Sequence, residues 1–570
     1  MNFDFPVVNS TSELEDCRND WTFDQTFHCW CLEDILYTQK ATTPKFQRMS
    51  IFVPAAYLNA KGTVDPNGCC GEYTSLSAPV IFENNSAGYM QMPHTWLGGP
   101  RDEAGKYLAA GMVYVTCGCR GRESRNTDGV LCGKAPWTLI DLKTGIRFLR
   151  HNASVLPGDF SHIISVGWSA GGAMSALLGV TGDNPLYDPY LEQNGAFLSE
   201  SDTVFASQIY CPIVDLEHAD LAYEWQFHKD DENEDSPAGP AGKMTPFMKA
   251  LSQKLSERYI QYFNSLGLHA PDGTPLAFGP DGRSGTAYSA LMDLLNDSAS
   301  DFLHRLDCGT LDVPYTVSDY LAGHYTVQKP APAPKADRTE LLRGHAGPGV
   351  ALNTNCDSPA SPSAPPSLGD LVSRPPKGVP YHGFQPPMIE VPGDEKSDWL
   401  YWDGERAVLT DLDSYLLHHR RRMKPCTSFD TLGMDSGENQ EFGTPARDYM
   451  HFCTDIAASI AELKDSFPSE YNKYYISYAA CIGDTDQEQR KFLINPLNFI
   501  GTSQPDSGTK HYRIRVGAQD ADTAFIISLT LAAKLQNVGK DTDYALVWDK
   551  PHCQADYPGE IVSWIKEICH

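Results

Sequence analysis

The chain is short of positive charge. Its 570 residues hold 45 Lys and Arg against 73 Asp and Glu, a formal net charge of −28. Such a surface is repelled by phosphate backbones and anionic lipid, so neither nucleic acid nor membrane is an expected partner. Long hydrophobic runs are also missing. The longest, Ile163 to Val180, is broken by glycines and serines and makes a poor membrane span. The first twenty residues carry no basic segment leading into an apolar one, so no leader is read. The location expected is cytoplasmic, or secreted if a leader has been removed. The 16 cysteines include no C-x-x-C and no second pair with histidines at zinc-finger distance. Buried free thiols account for them better than a structural metal does. A disulfide framework is not expected at this length. Internal repeats are absent, which argues against a propeller-bearing peptidase.

What is present is an ordinary globular composition, 41% hydrophobic and 21% charged. The length exceeds one simple core and implies two domains or one domain with a large insertion. Near the start, "RMSIFVPAAYL", "APVIFENN" and "GMVYVTCGC" read as strands. "APWTLIDLKTGIRFLRHN" places Leu139, Leu142, Ile146 and Leu149 on one helical face. "HIISVGWSAGG" is an apolar strand entering a tight turn, and "SQIYCPIVD" is another strand. Near the end, "HYRIRVGAQD" and "DYALVWD" read as strands, with "AFIISLTLAAKLQNVG" and "PGEIVSWIKEICH" as helices. Strands alternating with helices predict an α/β fold with a mostly parallel sheet. The alternation breaks in between. The boundaries read are 1–215 and 495–570 for the sheet domain and 216–494 for an inserted lid. Within the insertion, about 329–380 is rich in Pro, Ala, Gly and Ser and is expected to be an extended, mobile excursion.

The chemistry starts at Gly167-Trp168-Ser169-Ala170-Gly171, the one G-x-S-x-G in the chain. The motif is short, and a small-residue strand–helix crossing would also produce it. Its context favours a nucleophile: an apolar strand leads in and a helix leads out. Glycines leave room for a sharp turn, and the helix start makes the Ala170 N–H a natural oxyanion donor. A second donor is expected from the backbone of Ser86, Ala87 or Gly88, in the flexible loop after an early strand. A serine needs a base and the base needs an acid, in the order Ser, acid, His. Asp520 and Asp522 follow a late strand, and His552 follows the last one. Either aspartate fits by position. His511 precedes its strand and is expected to be structural or exposed.

Together these stretches resemble the bacterial tannases (tannin acylhydrolases), α/β-hydrolase esterases with a large lid. The blocks that carry the resemblance are "SAGGAMSALLGVTGDNPLY", "GKAPWTLIDLKTGIRFLRHN", "FLINPLNFIG", "RIRVGAQDADT" and "DKPHCQADY". It implies a triad of Ser169, Asp520 and His552, and so selects Asp520 over Asp522. It also implies that Lys424, Glu438 and Asp522 hold the trihydroxyphenyl ring of a galloyl group. Phenol hydroxyls donate well to carboxylates, and an ammonium donates to a phenol oxygen. In isolation Lys424 merely ends a basic run, "HHRRRMK", of the kind that normally faces solvent.

The expectation is a serine esterase acting on a small-molecule galloyl ester, with no metal or organic cofactor. The alternative is a feruloyl or general carboxylesterase of the same fold. The Pro-rich stretch and the loops "NGCC" and "CGCRG" are left unassigned by the resemblance.

Overall fold

The computed structural model describes residues 8–9, 20–84, 86–98, 103–230, 244–330, 388–392, 398–419 and 422–569. Nine strands of these form one sheet: β1 (Thr22–Asp24), β2 (Cys29–Leu36), β3 (Arg48–Pro54), β4 (Pro79–Asn84), β5 (Val113–Cys117), β6 (Asp159–Trp168), β7 (Ala206–Tyr210), β8 (His511–Gly517) and β9 (Asp541–Val547). Their spatial order is β9-β8-β7-β6-β4-β5-β3-β2-β1. From β9 to β5 all neighbours run parallel. β3, β2 and β1 add an antiparallel edge. The sheet is therefore mixed and mostly parallel.

Every residue of β4, β5 and β7 is buried, so both faces of the sheet are covered. The main helices are α1 (Trp137–His151), α2 (Ala170–Val180), α3 (Leu216–Phe227), α4 (Pro246–Ser265), α5 (Thr286–Asp307), α6 (Gly437–Glu441), α7 (Phe525–Asn537) and α8 (Glu560–Ile568). In α1 the expected apolar face of Leu139, Leu142, Ile146 and Leu149 is buried, but so is the rest of the helix through Leu149. Its polar side chains are satisfied internally. Lys143 and Arg147 both pair with buried Asp202, at 2.7 and 2.6 Å.

The loop "CGCRG" supplies a partner for α1 as well. Arg120 grips Asp141 through Nε at 2.9 Å and Nη2 at 2.6 Å, with both side chains fully buried. The bidentate geometry and the extra bonds to Asn194 and Thr42 offset the desolvation of the two charges.

The chain leaves the sheet after β7 and returns at β8. One apolar cluster runs from the sheet into the helices between, through Trp225, Tyr259, Phe263, Leu291 and Leu295. Residues read from sequence as an inserted lid thus share a core with the sheet. The first two residues of the Pro-rich stretch close a short strand, Thr326–Pro330, paired with Met388–Pro392. Residues 331–380 lie outside the described residues. No helix is long and apolar enough to cross a membrane among the described residues.

Asp141→Ala leaves the Arg120 guanidinium buried without its counter-charge. It should cost about 3–5 kcal/mol, read as a lowered urea midpoint. The exposed pair Asp293–Arg406 serves as control, and Asp293→Ala should shift stability by no more than about 1 kcal/mol.

Candidate active site

β6 runs into α2 through a sharp turn at Ser169, which takes φ 58° and ψ −121°. A non-glycine residue in that region costs about 1–3 kcal/mol, so surrounding bonds must hold it. Ser169 N–H donates to Tyr210 C=O at 3.0 Å, and its own carbonyl accepts from Ala173 at 3.1 Å and Ile213 at 3.3 Å. Ser169 stays half-buried and reachable.

The flanking glycines have a steric cause. A Cβ on Gly167 would stand 2.2 Å from Gly171 O and 2.4 Å from Asn84 Nδ2, and one on Gly171 would stand 2.7 Å from Asn84 Oδ1. The Asn84 amide fills that space. It donates to Val166 O and Gly171 O, both at 3.1 Å, and to Ser175 Oγ at 3.0 Å. The incoming strand and the outgoing helix are thereby pinned across the turn.

Asn84 also starts the turn read as the second oxyanion segment. Ser86 Oγ donates to Asn84 Oδ1 at 3.2 Å. Gly88 and Tyr89 then both take left-handed backbone, at φ 59° and 57°. Tyr89 N–H donates to Ser86 O, so that amide is already used. Arg122 secures the turn from behind, with its N–H on Tyr89 O at 2.8 Å and its Nε on Gly88 O at 2.9 Å. The first-turn N–H of Ala170 has no partner within its own helix, as at any helix start. Ala170, Ala87 and Gly88 are therefore the candidate donors.

Asp520 lies just beyond β8 and is fully buried. His552 lies beyond β9, and its Nδ1 is 2.7 Å from Asp520 Oδ2. The other carboxylate oxygen accepts the Asp522 N–H at 2.8 Å. Asp520, not Asp522, is thus the aspartate bonded to the His552 ring. Burial pulls the imidazole towards its neutral form, but the Asp520 carboxylate, and after it Cys553, Cys211 and Asp522, outweigh that. The His552 pKa ends well above its ordinary 6.5. His511 stands at the other end of β8 and pairs with Asp541. Asp549 is taken by His419, Tyr320 and Gln519.

The basic run that ends at Lys424 does not face solvent throughout. Arg422 is buried against Glu224, and its Nε donates to Lys424 O at 2.8 Å. Tyr223 OH accepts the N–H groups of Met423 and Lys424 and donates to Ala521 O at 3.0 Å. The Lys424 ammonium donates to Asp522 C=O at 2.7 Å and lies 4.2 Å from the centre of the Phe429 ring.

Glu438 sits on α6, which Ser436 caps. Arg122 joins this helix to the 86–89 turn by bonding Gln440 as well as Gly88. Burial first, and then Glu438 and Glu441, hold the Tyr89 phenol well above its usual pKa. Glu441 itself is pushed by burial up to about 8, against the pull of Lys134, Arg122 and Arg490. The structure therefore brings Lys424 and Asp522 together beside the acid and sets Glu438 beside the 86–89 turn.

The fold has counterparts in solved structures. A tannase from Fusobacterium nucleatum is 26% identical, with a TM-score of 0.71 over 99% of this chain and 100% of that one. The tannin acyl hydrolase of Lactobacillus plantarum is 28% identical, with a TM-score of 0.68 over 95% of this chain and 94% of that one. The same identity, coverage and TM-score hold for a tannin acyl hydrolase in complex with ethyl gallate. The solved structures it is similar to are bacterial tannases. The BD-FAE family model matches residues 130–237, which include the Ser169 turn, and the fold is that of an α/β-hydrolase. No curated protein matches.

Four residues that hold this site together carry no signal in the sequence: Asn84, Arg122, Tyr223 and Arg422. Each works through partners distant in the chain. Only the small-residue spacing about Ser169 hinted that something presses on that turn.

Gly167→Ala puts a methyl group against backbone that cannot yield. Labelling of Ser169 by a fluorophosphonate should slow at least tenfold with far-ultraviolet circular dichroism unchanged. Labelling at the parent rate would show that the clamp does not set the turn.

Proposed function

We propose that the chain is a serine esterase that cleaves galloyl esters to gallate and an alcohol, through an acyl-enzyme on Ser169. The observation that carries this reading is the Asp520–His552 pair at the ends of adjacent strands, on the sheet whose β6 ends in the Ser169 turn. The tannase neighbours, one of them with ethyl gallate bound, supply the acyl group.

His552 takes the Ser169 proton as the oxygen attacks the ester carbonyl. The Ala170 N–H and an amide of Ala87 or Gly88 hold the oxyanion. The proton on His552 then passes to the departing alcohol, and water frees the acid by the reverse sequence. Asp520 fixes the ring and stabilises its charged form. Lys424, Glu438 and Asp522 receive the ring hydroxyls. Residues 216–494 act as the lid over this site.

Ser169→Ala should leave the fold intact and lower kcat on methyl gallate by on the order of a thousandfold or more. Near-parental turnover would remove Ser169 as nucleophile. Asp522→Asn and Glu438→Gln should lower kcat/KM for methyl gallate by about 5- to 150-fold, the worth of about 1–3 kcal/mol per lost contact, and spare methyl benzoate. Equal losses on both esters would remove these residues from ring binding. Methyl ferulate preferred over methyl gallate would favour the feruloyl esterase instead.

The base works as neutral imidazole, and Asp520 raises the pKa of the ring. Activity is therefore lost as pH falls, with the midpoint of kcat/KM above 6.5. Asp520→Asn should move that midpoint down while lowering the rate. A parental midpoint below 6.5 would contradict the strength assigned to the pair.

A further inference from the structure

Cys211 follows β7 and Cys553 follows His552, yet their Sγ atoms stand 3.7 Å apart. Two non-glycine residues in left-handed backbone aim them, with φ 36° at Cys211 and 65° at Cys553. Cys553 N–H donates to Cys211 Sγ at 3.1 Å. The His552 ring completes the cluster: one nitrogen of it and the two sulfurs lie within 4.8 Å of one another.

The spacing is informative. Two thiolates on a tetrahedral zinc, with Zn–S of about 2.3 Å, lie about 3.8 Å apart. A disulfide would need about 2.0 Å. The carboxylate of Asp520 behind the imidazole is the backing that metal-bound histidines commonly have. Cys211 is buried, but His552 and Cys553 are half-exposed, so a cation can arrive from solvent.

We propose that Cys211, Cys553 and the His552 imidazole form a three-ligand site for zinc or a similar thiophilic divalent cation, and that filling it switches the esterase off. The switching rests on the reading of His552 as the base; the binding does not. A metal on Nε2 takes the lone pair that would accept the serine proton. A metal on Nδ1 displaces Asp520. Either way the ring no longer serves. Each thiol gives its proton to solvent as the metal binds, and affinity therefore rises with pH. A second cluster, Asp520, Asp522 and His552, offers mostly oxygen and would suit harder cations.

The test separates binding from turnover. Ser169→Ala protein, in buffer free of thiols and chelators, is titrated with zinc against a chromophoric chelator. One equivalent should bind, more tightly at pH 8 than at pH 6. Adding Cys211→Ser and Cys553→Ser should weaken binding at least tenfold. With Ser169 present, micromolar zinc should reduce methyl gallate hydrolysis more than tenfold, reversed by EDTA. The double cysteine variant should keep its metal-free rate and lose that sensitivity. Should the double variant not fold, Cys211→Ala and Cys553→Ala singly should each weaken zinc binding in the same titration.

Equal zinc affinity in parent and cysteine variants would overturn the site, as would no binding at all. Inactivation accompanied by a loss of 2 Da, with no zinc bound, would replace it with a disulfide. One equivalent of zinc on a protein that hydrolyses no gallate ester would uphold the site and defeat the proposed function.

Discussion

The Asn84 side chain is the point on which the site depends. A strained serine turn is stable only if the strand before it and the helix after it are tied together. One amide does this by donating to Val166, Gly171 and Ser175. Its carbonyl oxygen meanwhile accepts from Ser86, where the 86–89 turn begins. The proposed nucleophile and the proposed oxyanion donors are thus referenced to a single buried residue at the end of β4. The glycines beside Ser169 are the steric complement of that amide.

Much of this was legible in the sequence. Alternating apolar strands and helices marked the sheet because a buried parallel strand must be apolar on both faces. Ser169, Asp520 and His552 stood out because the fold places each just after a strand end. Of the antiparallel edge, β3 was read as a strand, but β1 and β2 were not legible. β2 carries Glu33 and Asp34 in its middle, Asp34 takes φ 64°, and the register slips between Leu32 and Ile35. That irregularity breaks the two-residue alternation by which a strand is read. The choice of Asp520 over Asp522 was equally beyond periodicity, since two residues on one loop differ only in where they point.

Lys424 shows a different limit. A run of basic residues ordinarily implies solvent, and here its end turns inward because Arg422 meets Glu224. That partner sits on α3, far back in the chain, and no local pattern announces it. The meeting of Cys211 with Cys553 is hidden for the same reason.

The loop from Gly517 to Asp522 has a broader consequence. The acid and one proposed ring ligand are two residues apart on it, joined by the Asp522 N–H to Asp520 bond, and Lys424 holds the same peptide. Across the site, Glu438 rides on a helix that Arg122 fastens to the 86–89 turn. Neither flank of the acyl pocket is a detachable module. A lineage drifting toward another acyl group could replace these side chains, but could not move the backbone that carries them without also disturbing the proposed catalytic groups. On the proposed roles, the placement of the ring ligands and that of the catalytic groups share one backbone frame, and a shift of either would have to be matched by the other.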